Sequence, residues 1–232
     1  MRRFACWAWC LIVGSVLPGA ARALAPAVRT QEIASCLPGE LASWPDGQDR
    51  PAAGGALRLV YRHAGAPAWF NEALVLGAVQ RAAAAWAGCG LPIEVIGEAA
   101  AALKPATVAV VQWNEAETRG NFALANLGQR TLSLSAAMFA LLATRNPRHP
   151  APQTLQMAIS HEMGHFVGLM AHSRRCVDVM SYYTYSAPGA PASAAQTCST
   201  RDGGDYKAVV EYRALLPTAC DIARCRAVNA QR

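Results

Sequence analysis

Twelve residues constrain this chain more than any other stretch: HEMGHFVGLMAH, from His161 to His172. Residues four apart in an α-helix lie on one face, about a turn apart, so a helix through this segment sets the imidazoles of His161 and His165 side by side. Apolar residues bracket them, with Leu155, Ala158 and Ile159 before and Met163, Phe166 and Val167 after. The helix expected over about 153–167 is therefore a buried one, and unpartnered imidazoles in an apolar setting are costly. A shared metal ion satisfies both, at a Zn–N distance of roughly 2.0–2.1 Å. Gly168 permits the left-handed backbone that ends a helix and turns the chain back. The chain beyond it can supply a third ligand, and His172 is the one histidine downstream.

Glu162, next to the first histidine, can lie beside a metal-activated water without ligating the metal, where it serves as a general base. Zinc in a structural role prefers four protein ligands, whereas zinc with chemistry to perform takes three and keeps one position open. A glutamate poised in this way favours the second kind.

The chain reads as exported. Arg2 and Arg3 precede an apolar run from Phe4 to Leu17, and Ala21-Arg22-Ala23 offers a small-x-small cleavage site, so residues 1–23 are expected to be a signal peptide. Its removal takes away Arg2, Arg3 and Arg22 and no acidic residue, which lowers the formal charge from +6 to +3. So slight an excess argues against nucleic acid or an anionic membrane surface as partner. Six cysteines remain: Cys36, Cys89, Cys176, Cys198, Cys220 and Cys225. In an oxidising compartment they suggest three disulfides. Local spacing favours Cys176–Cys198 and Cys220–Cys225, which leaves Cys36–Cys89.

Residues 24–55 show no periodicity and are expected to form an irregular N-terminal arm, with a single domain over 56–232. ALRLVYRH at 56–63, LPIEVI at 91–96, TVAVVQW at 107–113, NFALANL at 121–127 and RTLSLS at 130–135 read as strands. The segment 68–87 reads as a long first helix closed by Gly88 and Gly90, and 205–216 as a C-terminal helix that Pro217 cannot continue. The order describes an α+β domain with a mixed, twisted sheet.

HExxHxxG, a following histidine and a later methionine resemble the metzincin clan of zinc endopeptidases. Val179-Met180-Ser181-Tyr182 is similar to the clan's Met-turn, in the version seen in astacins and serralysins; the cysteine shortly before it is snapalysin-like, and the closing helix matrixin-like. The resemblance covers roughly residues 56–216. It implies a zincin domain whose zinc is held by His161, His165 and His172, with Glu162 as general base, Met180 packed beneath the metal and Tyr182 assisting the oxyanion. It further implies that a protein or peptide substrate lies extended along an edge strand at Ala123, Leu124, Ala125 and Asn126, with Tyr183 walling the side-chain pocket. No membrane contact is expected after signal cleavage, and the chain is expected to act as a monomer, secreted or periplasmic.

The sequence departs from the clan at one point. The clan places two residues between the glycine and the third ligand; here Leu169, Met170 and Ala171 make three, so His172 arrives one residue late. Asp178 is the fallback ligand. Two other readings stand beside this one: a zinc peptidase of different fold with Glu211 as third ligand, and an exported binding protein with a metal-stabilised fold and no turnover.

Overall fold

A computed structural model of the protein describes residues 20–103, 108–182, 184–191, 194–204 and 211–230. Its centre is a five-stranded mixed sheet of order β2-β1-β3-β5-β4, formed by β1 (Leu57–Tyr61), β2 (Ile93–Val95), β3 (Val108–Trp113), β4 (Ala123–Asn126) and β5 (Thr131–Leu134). β1 pairs in parallel with β2 and β3, and β3 in parallel with β5. β4 alone runs antiparallel, on the outer edge beside β5. The nearly continuous apolar run of β3 suits its central place, where both faces are covered.

Two helices carry the core onto one face of the sheet. α2 (Glu72–Trp86) starts at Asn71, whose side chain accepts from the Leu74 amide, and buries Val75, Ala78, Val79, Ala82, Ala83 and Trp86. It lies against α6 (Ala151–Phe166), which in turn covers β4 and β5. Polar bonds lock the pair within the apolar contact: Trp86 Nε1 donates to the Ser160 carbonyl at 2.8 Å and Gln156 Nε2 to the Ala78 carbonyl at 3.0 Å. Shorter helices α3 (Glu98–Leu103), α4 (Glu115–Thr118) and α5 (Ala136–Arg145) connect the strands, and α5 is one that sequence periodicity missed. A ribbon of β6 (Thr184–Tyr185) and β7 (Gln196–Thr197) stands apart.

Both ends of the chain differ from expectation. Ala20–Ala34 is a helix, α1, where an irregular arm was expected from residue 24. Long-range anchors hold it: the Glu32 carboxylate is buried among Arg175, the Arg201 amide and the Tyr212 hydroxyl, and Arg29 donates to the carbonyls of Tyr212 and Arg213. Most of the expected signal peptide, 1–19, lies outside the described residues, as do 205–210 of the expected last helix; 211–216 are irregular. The closing helix is instead α7, Ala219–Asn229. Pro217 precedes a helix rather than ending one, because Thr218 and Asp221 form a reciprocal capping box at its start.

That helix also explains the disulfides. Cys176–Cys198 forms as expected, but the other two are Cys36–Cys220 and Cys89–Cys225. Five residues along an α-helix span roughly 7.5 Å of rise and point to different sides, beyond what a disulfide bridges. Cys220 and Cys225, both on α7, therefore cannot join each other; they tie α7 to the N-terminal segment and to the end of α2. Three disulfides match an oxidising, extracellular or periplasmic setting, and no helix among the described residues is long and apolar enough to cross a membrane.

Candidate metal centre

α6 is buried from Thr154 through Ser160, so its orientation is set by packing before the histidines are reached. Its end is a Schellman turn: the Leu169 amide donates to Gly164 O at 3.0 Å and the Gly168 amide to His165 O at 3.2 Å, with Gly168 at φ +107°. The turn sends residues 169–172 back across the helix face.

Three imidazoles then converge. His161, His165 and His172 bring ligand atoms within 4.8 Å of one another. His165 stands edge-on to both other rings, at interplanar angles of 86° and 76°. Each ring has its Nδ1 committed elsewhere: His161 to the Val179 carbonyl, His165 to the Leu169 carbonyl and His172 to Asp46 Oδ2, all at 2.7 Å. Since each partner is an acceptor, each Nδ1 carries the proton and each Nε2 keeps its lone pair. His161 Nε2 and His172 Nε2 face each other at 3.1 Å. Two lone pairs at that separation repel, and a cation between them converts repulsion into ligation. Tetrahedral zinc at roughly 2.0–2.1 Å from nitrogen requires ligand nitrogens about 3.3–3.4 Å apart. The donor set fits zinc. Burial pushes all three imidazoles below their ordinary range, His165 to about 4, which keeps them neutral and able to ligate.

Glu162 is buried beside the cluster. Its Oε2 accepts from the Ala125 amide of the edge strand at 2.8 Å, and burial raises its carboxyl to about 8. A cleft of about 450 Å³ opens here, walled by β4, Met157, Tyr182 and Arg213. A second hollow of about 370 Å³ shares Leu127, His165 and Met170 with it, so a groove follows the edge of β4 past the histidines. Ala123, Leu124 and Ala125 line the cleft, whereas the Asn126 side chain turns to Gln129 in the hairpin. The Tyr182 ring stacks on His172, with centroids 3.6 Å apart and planes 14° from parallel. Tyr183 lies outside the described residues.

Beneath the cluster, Met180 is fully buried, and its sulfur fills the space a side chain at Gly164 would need. The turn around it is fastened to α7. Asp221 accepts from the Val179 amide at 2.9 Å, and Asp178 accepts from the hydroxyls of Ser173 and Thr218, each at 2.6 Å. Asp178 is thus occupied away from the histidines. Glu211 likewise is not among the converging groups; its carboxylate pairs with Arg213 at 2.9 Å. Sequence reasoning missed Asp46, which lies in SWPDGQDR and reads locally as a polar turn.

No family model and no curated protein matches this sequence. A chain in the solved structure of the GM1-bound form of the ECX AB5 holotoxin is similar to it with a TM-score of 0.41 and 14% identity, over 84% of this chain and 92% of that one. A likeness of that strength carries no argument about fold or function.

Proposed function

We propose that this chain is an exported zinc-dependent endopeptidase of metzincin type. The observation that carries the reading is the convergence of three Nε2 lone pairs from His161, His165 and His172, with Glu162 buried beside them in an open groove. Zinc held there supplies Lewis acidity, which acidifies a water and polarises a peptide carbonyl. With a cation held beside it, Glu162 would be kept in its carboxylate form despite burial, and would accept the water's proton at an oxygen and return it to the leaving amine nitrogen as the C–N bond breaks. Tyr182, packed against His172 at the mouth of the cleft, directs its hydroxyl to the oxygen that gains charge. The peptide lies extended beside β4, whose outer edge has no strand neighbour among the described residues. Met180 holds the floor of the site by filling the space against Gly164.

The test joins metal content to turnover. The wild type is expected to hold one zinc and to cleave an unstructured protein substrate, and Glu162→Gln to hold zinc without cleaving. A wild type that binds no zinc, or a Glu162→Gln variant that cleaves as well as wild type, overturns the proposal. Zinc held by the wild type without cleavage marks instead a metal-stabilised binding protein.

A further inference from the structure

His172 reaches the cluster from a loop, Leu169 to Ala171, that follows the end of α6, and the loop alone does not hold it there. Leu169 is buried in the core, and residues 169–171 have no polar side chain to fix the backbone beyond it. What holds it comes from the N-terminal segment, more than 120 residues away in sequence. The amides of Met170 and Ala171 both donate to Asp49 Oδ1, at 2.8 and 3.0 Å, and the next amide, His172, donates to Asp46 Oδ1 at 3.0 Å. Three successive backbone N–H groups thus curl around two carboxylates, a concave anion-binding arrangement that fixes the path of the loop. Asp46 Oδ2 then holds His172 Nδ1 at 2.7 Å, so a single side chain fixes both the backbone and the ring of this residue.

The segment is itself tied down. Trp44 N donates to His172 O at 2.8 Å and Arg50 N to Gly168 O at 3.1 Å, one contact on each side of the loop. Gly47 passes so close to the Met170 carbonyl that a Cβ there would lie 2.5 Å from its oxygen. From the opposite end of the chain, Arg224 on α7 grips Asp49 through Nε at 2.6 Å and also donates to the Ala171 carbonyl. The loop is clamped between residues 44–50 and α7.

We propose that residues 44–50 form a strap that makes His172 a metal ligand: Asp46 is the positioning residue for its ring, and Asp49, held by Arg224, shapes the loop that delivers it. This rests on the zinc reading above. Outer-shell carboxylates of this kind typically contribute about 10–100-fold to metal affinity.

The experiment measures zinc affinity of the full disulfide-bonded chain by chelator competition, together with the visible spectrum of the Co²⁺-substituted protein. Asp46→Asn is expected to weaken zinc binding by about 10–100-fold and to alter the Co²⁺ bands, with the metal-free melting temperature little changed. In a His172→Ala background, where the two helix histidines set the residual affinity, Asp46→Asn is expected to cost nothing further. Gly47→Ala, which pushes the strap off Met170 without removing a polar partner, is expected to weaken zinc binding as well, and it carries the test should Asp46→Asn not fold. Zinc affinity and Co²⁺ bands at wild-type values in these strap variants overturn the proposal. So does an equal loss from Asp46→Asn with and without His172. Zinc bound by the wild type, lost with His172→Ala and untouched by Asp46→Asn removes the strap alone; a wild type without zinc removes the endopeptidase reading with it.

Discussion

The candidate centre has two halves built by different physics. His161, Glu162 and His165 sit within five consecutive residues of α6, and their mutual placement follows from helix geometry once the helix is buried. His172 sits in a loop whose path is held by Asp46, Asp49 and Arg224, contributed by remote parts of the chain. The first half needs one helix to form. The second needs segment 44–50, the loop after α6 and α7 brought together. A site assembled in this way cannot have its third ligand in place before the whole domain is folded.

The largest expected effect breaks the helical half at its chemistry and leaves its geometry alone. Glu162→Gln keeps the side chain's shape and its place against the Ala125 amide, so zinc stoichiometry should match wild type. Peptide hydrolysis should fall by about 10²–10⁴-fold, the usual contribution of a positioned general base. Activity assays beside metal analysis check this, and equal activity in the two proteins would show that the carboxylate takes no proton in the reaction.

A second intervention strikes the looped half. Cys36–Cys220 closes a span of 184 residues and joins the strap's base to α7, whereas Cys176–Cys198 closes only 22. Replacing Cys36 and Cys220 together by serine should cost about 2–5 kcal/mol of unfolding free energy, more than the same change at Cys176 and Cys198. It should also weaken zinc binding, because the strap and Arg224 lose their common anchor. Denaturant unfolding and chelator competition read the two effects separately. Zinc affinity unchanged by the loss of Cys36–Cys220 would mean that the strap keeps its place without it.

The same division governs what could be read from the sequence. The spacing of His161 and His165, the apolar bracket around them and Gly168 are local signals, and each corresponds to local structure: a buried helix and its Schellman end. All five strands of the main sheet were legible, as alternation or as an apolar run. The supports of His172 were not. Asp46 and Asp49 in PDGQD carry the composition of an exposed turn, and nothing in the residues nearby indicates that they face a loop 121–126 positions away. The cysteine pairing failed for a related reason. Adjacency in sequence suggested Cys220–Cys225, but Thr218 and Asp221 cap a helix there, and the helix holds those two thiols apart. Pro217 was read as a stop, and the capping of the helix that follows it went unread.

Glycine substitutions sharpen the comparison at smaller scale. Gly168 has φ +107°, and a Cβ there would run into the Arg50 carbonyl, a backbone atom of the strap that cannot step aside. Gly168→Ala should cost about 1–3 kcal/mol, the usual range for a strained backbone position, and should weaken zinc binding as well. Gly164 lies in the last turn of α6, where a Cβ meets the Met180 side chain and the Trp86 ring. Crowding there of about 1–3 kcal/mol is opposed by the roughly 0.8–1 kcal/mol that alanine gains over glycine in a helix. Gly164→Ala should therefore be the milder of the two by thermal melting. The reverse order would place the rigid part of the site in the helix floor rather than at the strap.

The smallest expected effect concerns the acidic pair that joins the Met180 turn to α7. Burial first, and then the neighbouring carboxyl, push Asp178 above its ordinary range, and burial does the same to Asp221. The folded state thus holds a proton that the unfolded chain releases near pH 3.8. A carboxyl whose pKa rises on folding stabilises fully below its unfolded pKa, and that contribution drains away as pH climbs towards the folded value, about 8 for Asp178. Folding free energy should accordingly fall across this window, by an amount on the order of 1 kcal/mol once relaxation and water entry trim the burial effect. His161, His165 and His172 act in the opposite sense, since their lowered pKa values make stability rise with pH. The quantity to measure is therefore the difference between wild type and Asp178→Asn, which leaves the histidines common to both. Asparagine keeps a neutral side chain between the Ser173 and Thr218 hydroxyls at every pH, so the variant should gain on wild type from pH 5 to pH 8 in paired denaturant titrations. A difference that stays constant from pH 5 to pH 8 would mean that Asp178 is ionised in the fold as it is in the unfolded chain. The turn under the histidines would then be fastened to α7 through a charged rather than a neutral carboxyl.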